Sequence, residues 1–147
     1  MLEREVRKHP PDWVIDTVPE SAAKAFRANL LELANAVRQS GAKIILATHA
    51  NRINNPMTPE DVASLTTWRK QNPKHSEHCI LEMESLANDI IKEVSVQQNI
   101  PVVDIANVVP KSSQYFADYL HFTDQGASLV AQAFVTEVLR SHDGHGN

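Results

Sequence analysis

Apolar positions along the chain fall into two periods. Over residues 21–40, Phe26, Leu30, Leu33 and Val37 recur at spacings of four, three and four, the stripe of one helix, and Gly41 stands where such a helix stops. Thr58 is followed by Pro59, Glu60 and Asp61, which gives a hydroxyl cap, a proline at the first helical position and acids in the first turn of a helix over 58–71. Residues 76–99 put Ile80, Met83, Ala87, Ile90 and Val94 on one face of a third helix. Residues 123–140 do the same with Val130, Phe134 and Val138, with Thr123 as cap. Between these helices lie two short unbroken apolar runs, KIILATH (43–49) and IPVVDI (100–105), the pattern of strands buried on both faces. DWVIDTV (12–18) is a candidate third strand that Pro19 breaks. Residues 106–122 read as a long irregular connection and 141–147 as a flexible tail.

Strands alternating with helices predict an α/β fold, a parallel sheet with helices on its faces, in a single domain over 1–147. No repeat or low-complexity stretch divides it. Two or three strands are few for a parallel sheet, so the expected sheet is incomplete, as in half of a doubly wound domain.

Composition narrows the function classes. With 147 residues, 42% of them hydrophobic and 22% charged, the chain can build one core. A net charge of -4 without a basic stripe argues against nucleic acid. No apolar run approaches the roughly 18 residues of a membrane span. The one cysteine, Cys79, excludes an intrachain disulfide and a cysteine metal cluster, and is expected as a small residue on a helix face. The charged N-terminus has no apolar signal core, so a chain starting at Met1 is expected in the cytoplasm; for the C-terminal part of a longer protein the point is uninformative.

In open α/β sheets, ligands bind beyond the carboxyl ends of the strands. Two loops leave those ends: THANRINNP (48–56) and the connection that closes on Asp118 and His121. An imidazole with a carboxylate three residues before it is the chemistry of a general base and its orienting acid. His49, Asn51 and Arg52 in the first loop are candidate substrate contacts. Convergence of His49, His121 and Asp118 on a metal is not demanded by their spacing, and no metal site is assigned. His75 and His78 are expected in solvent, and His142 and His145 fall in the tail.

ADYLHFTDQGASLVAQAFVTEVL resembles the last block of the SGNH, or GDSL-type, hydrolases: Asp118-x-x-His121, a short turn, Gly126 and a helix to about Arg140. FRANLLELANAVRQSGAKIILATH is similar to that family's helix and strand before its fourth loop, and IPVVDIANVV to the strand before its catalytic loop. The resemblance covers about residues 22–140 in the family's order. It implies a flavodoxin-like three-layer α/β/α hydrolase of ester bonds that needs no cofactor, with His121 as base, Asp118 as orienter and a small-molecule ester as substrate. The family's nucleophilic serine lies in an N-terminal Gly-Asp-Ser block, and a Gly-x-Asn-Asp block helps hold the oxyanion. Neither string occurs in this chain. The reading is therefore of a C-terminal part, missing the first strands, with the Asp–His half of the triad and little or no activity alone. Ser21, between the candidate strand and the first long helix, is the internal substitute for the nucleophile. Asn51, in an echo of Gly-x-Asn, is the substitute oxyanion donor. The reading from another class is a non-catalytic α/β binding module that pairs an exposed sheet edge with another chain or a second copy of itself.

Overall fold

A computed structural model describes residues 2–143 of the chain. Helices dominate: α1 (Leu2–Val6), α2 (Glu20–Gln39), α3 (Pro59–Gln71), α4 (Glu77–Gln98), α5 (Ile105–Val108) and α6 (Asp124–Asp143). Strands β1 (Leu46–Ala47) and β2 (Val102–Val103) pair in parallel, Leu46 opposite Val102 and Ala47 opposite Val103. Parallel neighbours need a long crossover, and α3 with α4 supplies it. The fold is α/β, mostly helical, around a two-stranded parallel sheet.

The helix starts form as the sequence predicts. Thr58 and Asp61 make a reciprocal capping box with Pro59 at the first position, and Ser76 caps α4 by accepting the Cys79 N–H. Cys79 is buried on α4. The α2 stripe is only partly its buried face: Leu30 and Val37 are half-buried, Phe26 and Leu33 are exposed, and Ala34 is the residue α2 buries completely. α2 lies along α4, and the Arg27–Glu93 ion pair bridges the two helices.

The segment 12–18 does not join the sheet. Ile15 donates its N–H to the Lys74 carbonyl at 2.8 Å and accepts from Ser76 at 2.9 Å, so it makes one bridge beside the start of α4. The expected third strand is corrected to that bridge. The two true strands are also shorter than their apolar runs, because a ladder extends only where both chains stay extended. Asp104 ends β2 and α5 begins directly after it, so the connection after β2 opens with a helical turn.

That connection runs over the surface but sends three side chains into the core. Phe116, Tyr119 and Val109 are among the most deeply buried side chains of the molecule. Val109 and Phe116 join Ala50, Val103 and Ile105 in a cluster covered by Leu129, Val130, Ala133 and Phe134 of α6. Tyr119 joins Ile53, Leu65 and Ile80 in a second cluster between α3 and α4. α6 runs three residues into the segment expected as a tail. Residues 144–147, including His145, and the side chain of His142 lie outside the described residues.

Candidate active site

Both strands end in one polar knot. The buried Thr48 hydroxyl donates to Asp104 at 2.9 Å and accepts the Ala106 N–H at 3.0 Å. Asp104 also accepts from Lys92 at 2.8 Å and from Asn107 at 2.6 Å. Burial pushes the Asp104 carboxyl up, but the hydrogen bonds from Lys92, Asn107 and Thr48 outweigh it and hold the group below its ordinary range. The knot fixes the point from which both loops depart.

The first loop is fastened at three places. The Asn88 side chain on α4 clamps His49, accepting its N–H at 2.7 Å and donating to its carbonyl at 2.8 Å. Asn54 donates its backbone and side-chain N–H groups to the buried Asp61. The Arg52 N–H donates to the Tyr119 carbonyl at 2.9 Å, which ties this loop to the one that carries His121.

The second loop is closed at its base by Phe116 and Phe122, which bridge antiparallel with ring centroids 5.0 Å apart. Inside it, Asp118 turns the chain onto itself. Its Oδ1 accepts the Leu120 N–H at 3.0 Å and the His121 N–H at 2.9 Å, the geometry of an Asx turn. Both oxygens face the His121 Nδ1, Oδ2 at 2.8 Å and Oδ1 at 3.0 Å. One carboxylate thus fixes both the backbone and the ring of His121, and Nε2 is the ring nitrogen left open. Burial pushes the Asp118 carboxyl up, yet the His121 and Leu120 amides and the imidazole outweigh it, and the group titrates below its ordinary range. His121 and Asp118 side chains are 67% and 57% exposed.

The ring opens on a shallow groove of about 360 Å³ whose lining includes Arg52, Ser64, Trp68, Tyr119, Asp118 and His121. Tyr119 stacks on Trp68 at 5.5 Å as its floor. The Tyr119 hydroxyl is buried without a hydrogen-bond partner among the described residues, and burial, with the Glu84 charge next, raises its pKa. Arg52 lines the groove, its guanidinium paired with Glu60.

His49 and Asn51 are not brought to that groove. They line a separate recess of about 690 Å³ between the first loop, α4 and α5. Asn51 turns its Oδ1 back to the Ile53 N–H at 3.0 Å. His49 pairs through Nδ1 with Glu84. Ser21 sits exposed in the first turn of α2, after Pro19 as cap, and lines neither hollow. Among the described residues no group of three or more His, Cys, Asp and Glu is placed to hold a metal ion; His49 and His121 each face a different carboxylate.

Sequence reasoning missed Glu84, Asn88 and Ser64. Glu84 and Asn88 were legible only as polar residues four apart beside the apolar stripe of α4, a spacing that puts them on one line. Ser64 gave no signal, being an ordinary helix residue.

The His49 pair has a pH signature. The hydrogen bond to the Glu84 carboxylate raises the His49 pKa against the opposing effect of burial. A group whose folded pKa exceeds its unfolded value near 6.5 stabilises the fold fully below that value and loses the contribution as pH rises through the folded value. The melting-temperature gap between the native chain and His49→Gln is therefore expected to be wider at pH 6 than at pH 8.5. Thermal unfolding of both at the two pH values measures it; equal gaps contradict the pair.

The family model described as GDSL-like lipase/acylhydrolase covers residues 12–134. No curated protein and no solved structure matches the chain. No helix among the described residues is long and apolar enough to cross a membrane.

Proposed function

The chain belongs to the GDSL-like lipase/acylhydrolase family, and from that premise we propose that Asp118 and His121 are the acid–base half of its ester-hydrolysing site. The observation that carries this reading is the single carboxylate holding both the His121 amide and Nδ1. In that state Nδ1 keeps the proton and Nε2 is the base. A nucleophilic hydroxyl placed at Nε2 loses its proton to the imidazole as it attacks the ester carbonyl. Asp118 stabilises the imidazolium that forms, and the imidazolium then protonates the departing alcohol. Water repeats the sequence on the acyl-enzyme. No cofactor enters these steps.

The nucleophile is assigned to no serine of this chain. Ser64 lines the groove, but it lies inside α3, where helical hydrogen bonds occupy the neighbouring amides and leave no pair of donors for an oxyanion. Ser21 is outside the groove. On this reading the sheet is the C-terminal part of a three-layer flavodoxin-like arrangement. The serine-bearing strand would lie beyond β1, and residues 1–147 alone hydrolyse esters weakly.

Hydrolysis of a short-chain nitrophenyl ester by the chain tests this. The proposal predicts a low rate, from water activated directly at Nε2, that His121→Ala reduces to the uncatalysed level and that Ser21→Ala and Ser64→Ala leave in place. A rate insensitive to His121→Ala refutes the assignment of the base. A rate abolished by either serine variant places the nucleophile inside the chain.

A further inference from the structure

A second imidazole–carboxylate pair takes no part in the proposed hydrolysis. His49 and Glu84 sit where two hollows meet, since both line the polar recess and both line an apolar groove of about 450 Å³ between α2 and α4. Apart from these two residues the groove is walled by hydrocarbon, with Ala23, Phe26, Met83, Ala87 and Ile90 among its lining. Phe26 is 39% and Met83 43% exposed, so this apolar surface is open to water.

The recess on the other side of the pair has the opposite character. Asn55, Ser85 and Asp89 line it, and none of their side chains bonds to another group among the described residues. Its formally charged lining residues besides His49 are Glu84, Asp89, Lys92 and Lys111, two of each sign. Amide, hydroxyl and carboxylate groups with unused hydrogen-bonding capacity suit hydroxyl groups, and the balanced charge offers an ionic head no preference. The Asn88 clamp on the His49 backbone holds the junction between the hollows in place.

The geometry points to a binding site for a neutral single-chain amphiphile, with its alkyl chain along the α2–α4 groove and a hydroxyl-rich head in the recess. The junction of chain and head passes His49 and Glu84. Neither hollow shares a lining residue with the groove beside His121. The ligand needs no ester bond, so its binding stands or falls separately from hydrolysis.

The test is calorimetric titration of the chain with hexyl, heptyl and octyl glucoside below their micelle concentrations. One saturable site is expected, with affinity rising about four-fold for each methylene added. Phe26→Ser and Met83→Ser change partly exposed positions, so the fold is retained, which circular dichroism verifies. Each is expected to weaken octyl glucoside roughly ten-fold and to flatten the chain-length dependence. Ser85→Ala should weaken every member of the series by a similar factor, and octyl sulfate should bind more weakly than octyl glucoside. Absence of a saturable site, an unchanged chain-length dependence in Phe26→Ser, or octyl sulfate binding as tightly as the glucoside overturns the proposal. So does a dimer by sedimentation that Phe26→Ser dissociates, because the groove would then be covered by a second copy of the chain.

Discussion

Gly126→Ala is expected to destabilise the fold by about 3 kcal/mol, at the upper end of what overpacking costs. A Cβ at this position would lie 2.2 Å from the Tyr115 carbonyl oxygen and 3.2 Å from the Phe122 Cβ. The nearest obstacle is backbone, so no side-chain rotation relieves it. The same Tyr115 oxygen accepts the Thr123 N–H at 3.0 Å. The Thr123 hydroxyl donates to the Gln114 carbonyl at 2.6 Å while accepting the Gly126 N–H at 3.2 Å. The first turn of α6 thus lies flat on residues 114–115, and a methyl group must pry it off. Lifting it breaks these bonds and loosens Phe116 and Phe122, which close the base of the His121 loop. Urea unfolding of the native chain and the variant measures the loss. A midpoint that does not move would contradict the close approach.

Asp118→Asn is expected to bring the low His121-dependent rate of ester hydrolysis close to the uncatalysed level, because the imidazolium then has no carboxylate to stabilise it. Asparagine keeps an oxygen for the Leu120 and His121 amides, so the turn survives. Its NH₂ replaces the oxygen that faces Nδ1 at 2.8 Å. Nδ1 loses its nearer acceptor and the imidazolium loses the negative charge that stabilises it, while Oδ1, 3.0 Å from Nδ1, still accepts. Asp118→Ala is the less informative change, because it also removes the acceptor of both amides. Nitrophenyl ester kinetics of the two variants, with circular dichroism as the control for folding, separate loss of the carboxylate from loss of the turn.

How much of this was legible in the sequence depends on whether a local cause existed. The cap at Thr58 and Pro59 and the Asp118-x-x-His121 turn were readable because neighbours in sequence make them. The strands were readable as apolar runs, but not their extent, which pairing decides. The candidate strand at 12–18 failed for the same reason: Val14 and Ile15 have strand propensity, and the chain offers Ile15 only the 74–76 loop to pair with. The buried role of Phe116 and Tyr119 was hidden because an irregular connection shows no period. Gly126 was visible as part of a family pattern, while its reason, the Tyr115 carbonyl, lies eleven positions earlier in the chain. The separation of His49 from His121 was illegible, since both follow strand ends, and only the Asn88 clamp and the Glu84 carboxylate turn His49 away.

The central claim is that Asp118 holds the His121 ring with Nδ1 protonated and Nε2 bare. Long-range ¹⁵N–¹H correlation of the His121 ring, recorded at a pH where the imidazole is neutral, reads the tautomer directly. The account predicts a protonated Nδ1 and an unprotonated Nε2 in the native chain. A proton on Nε2 in the native chain would contradict it.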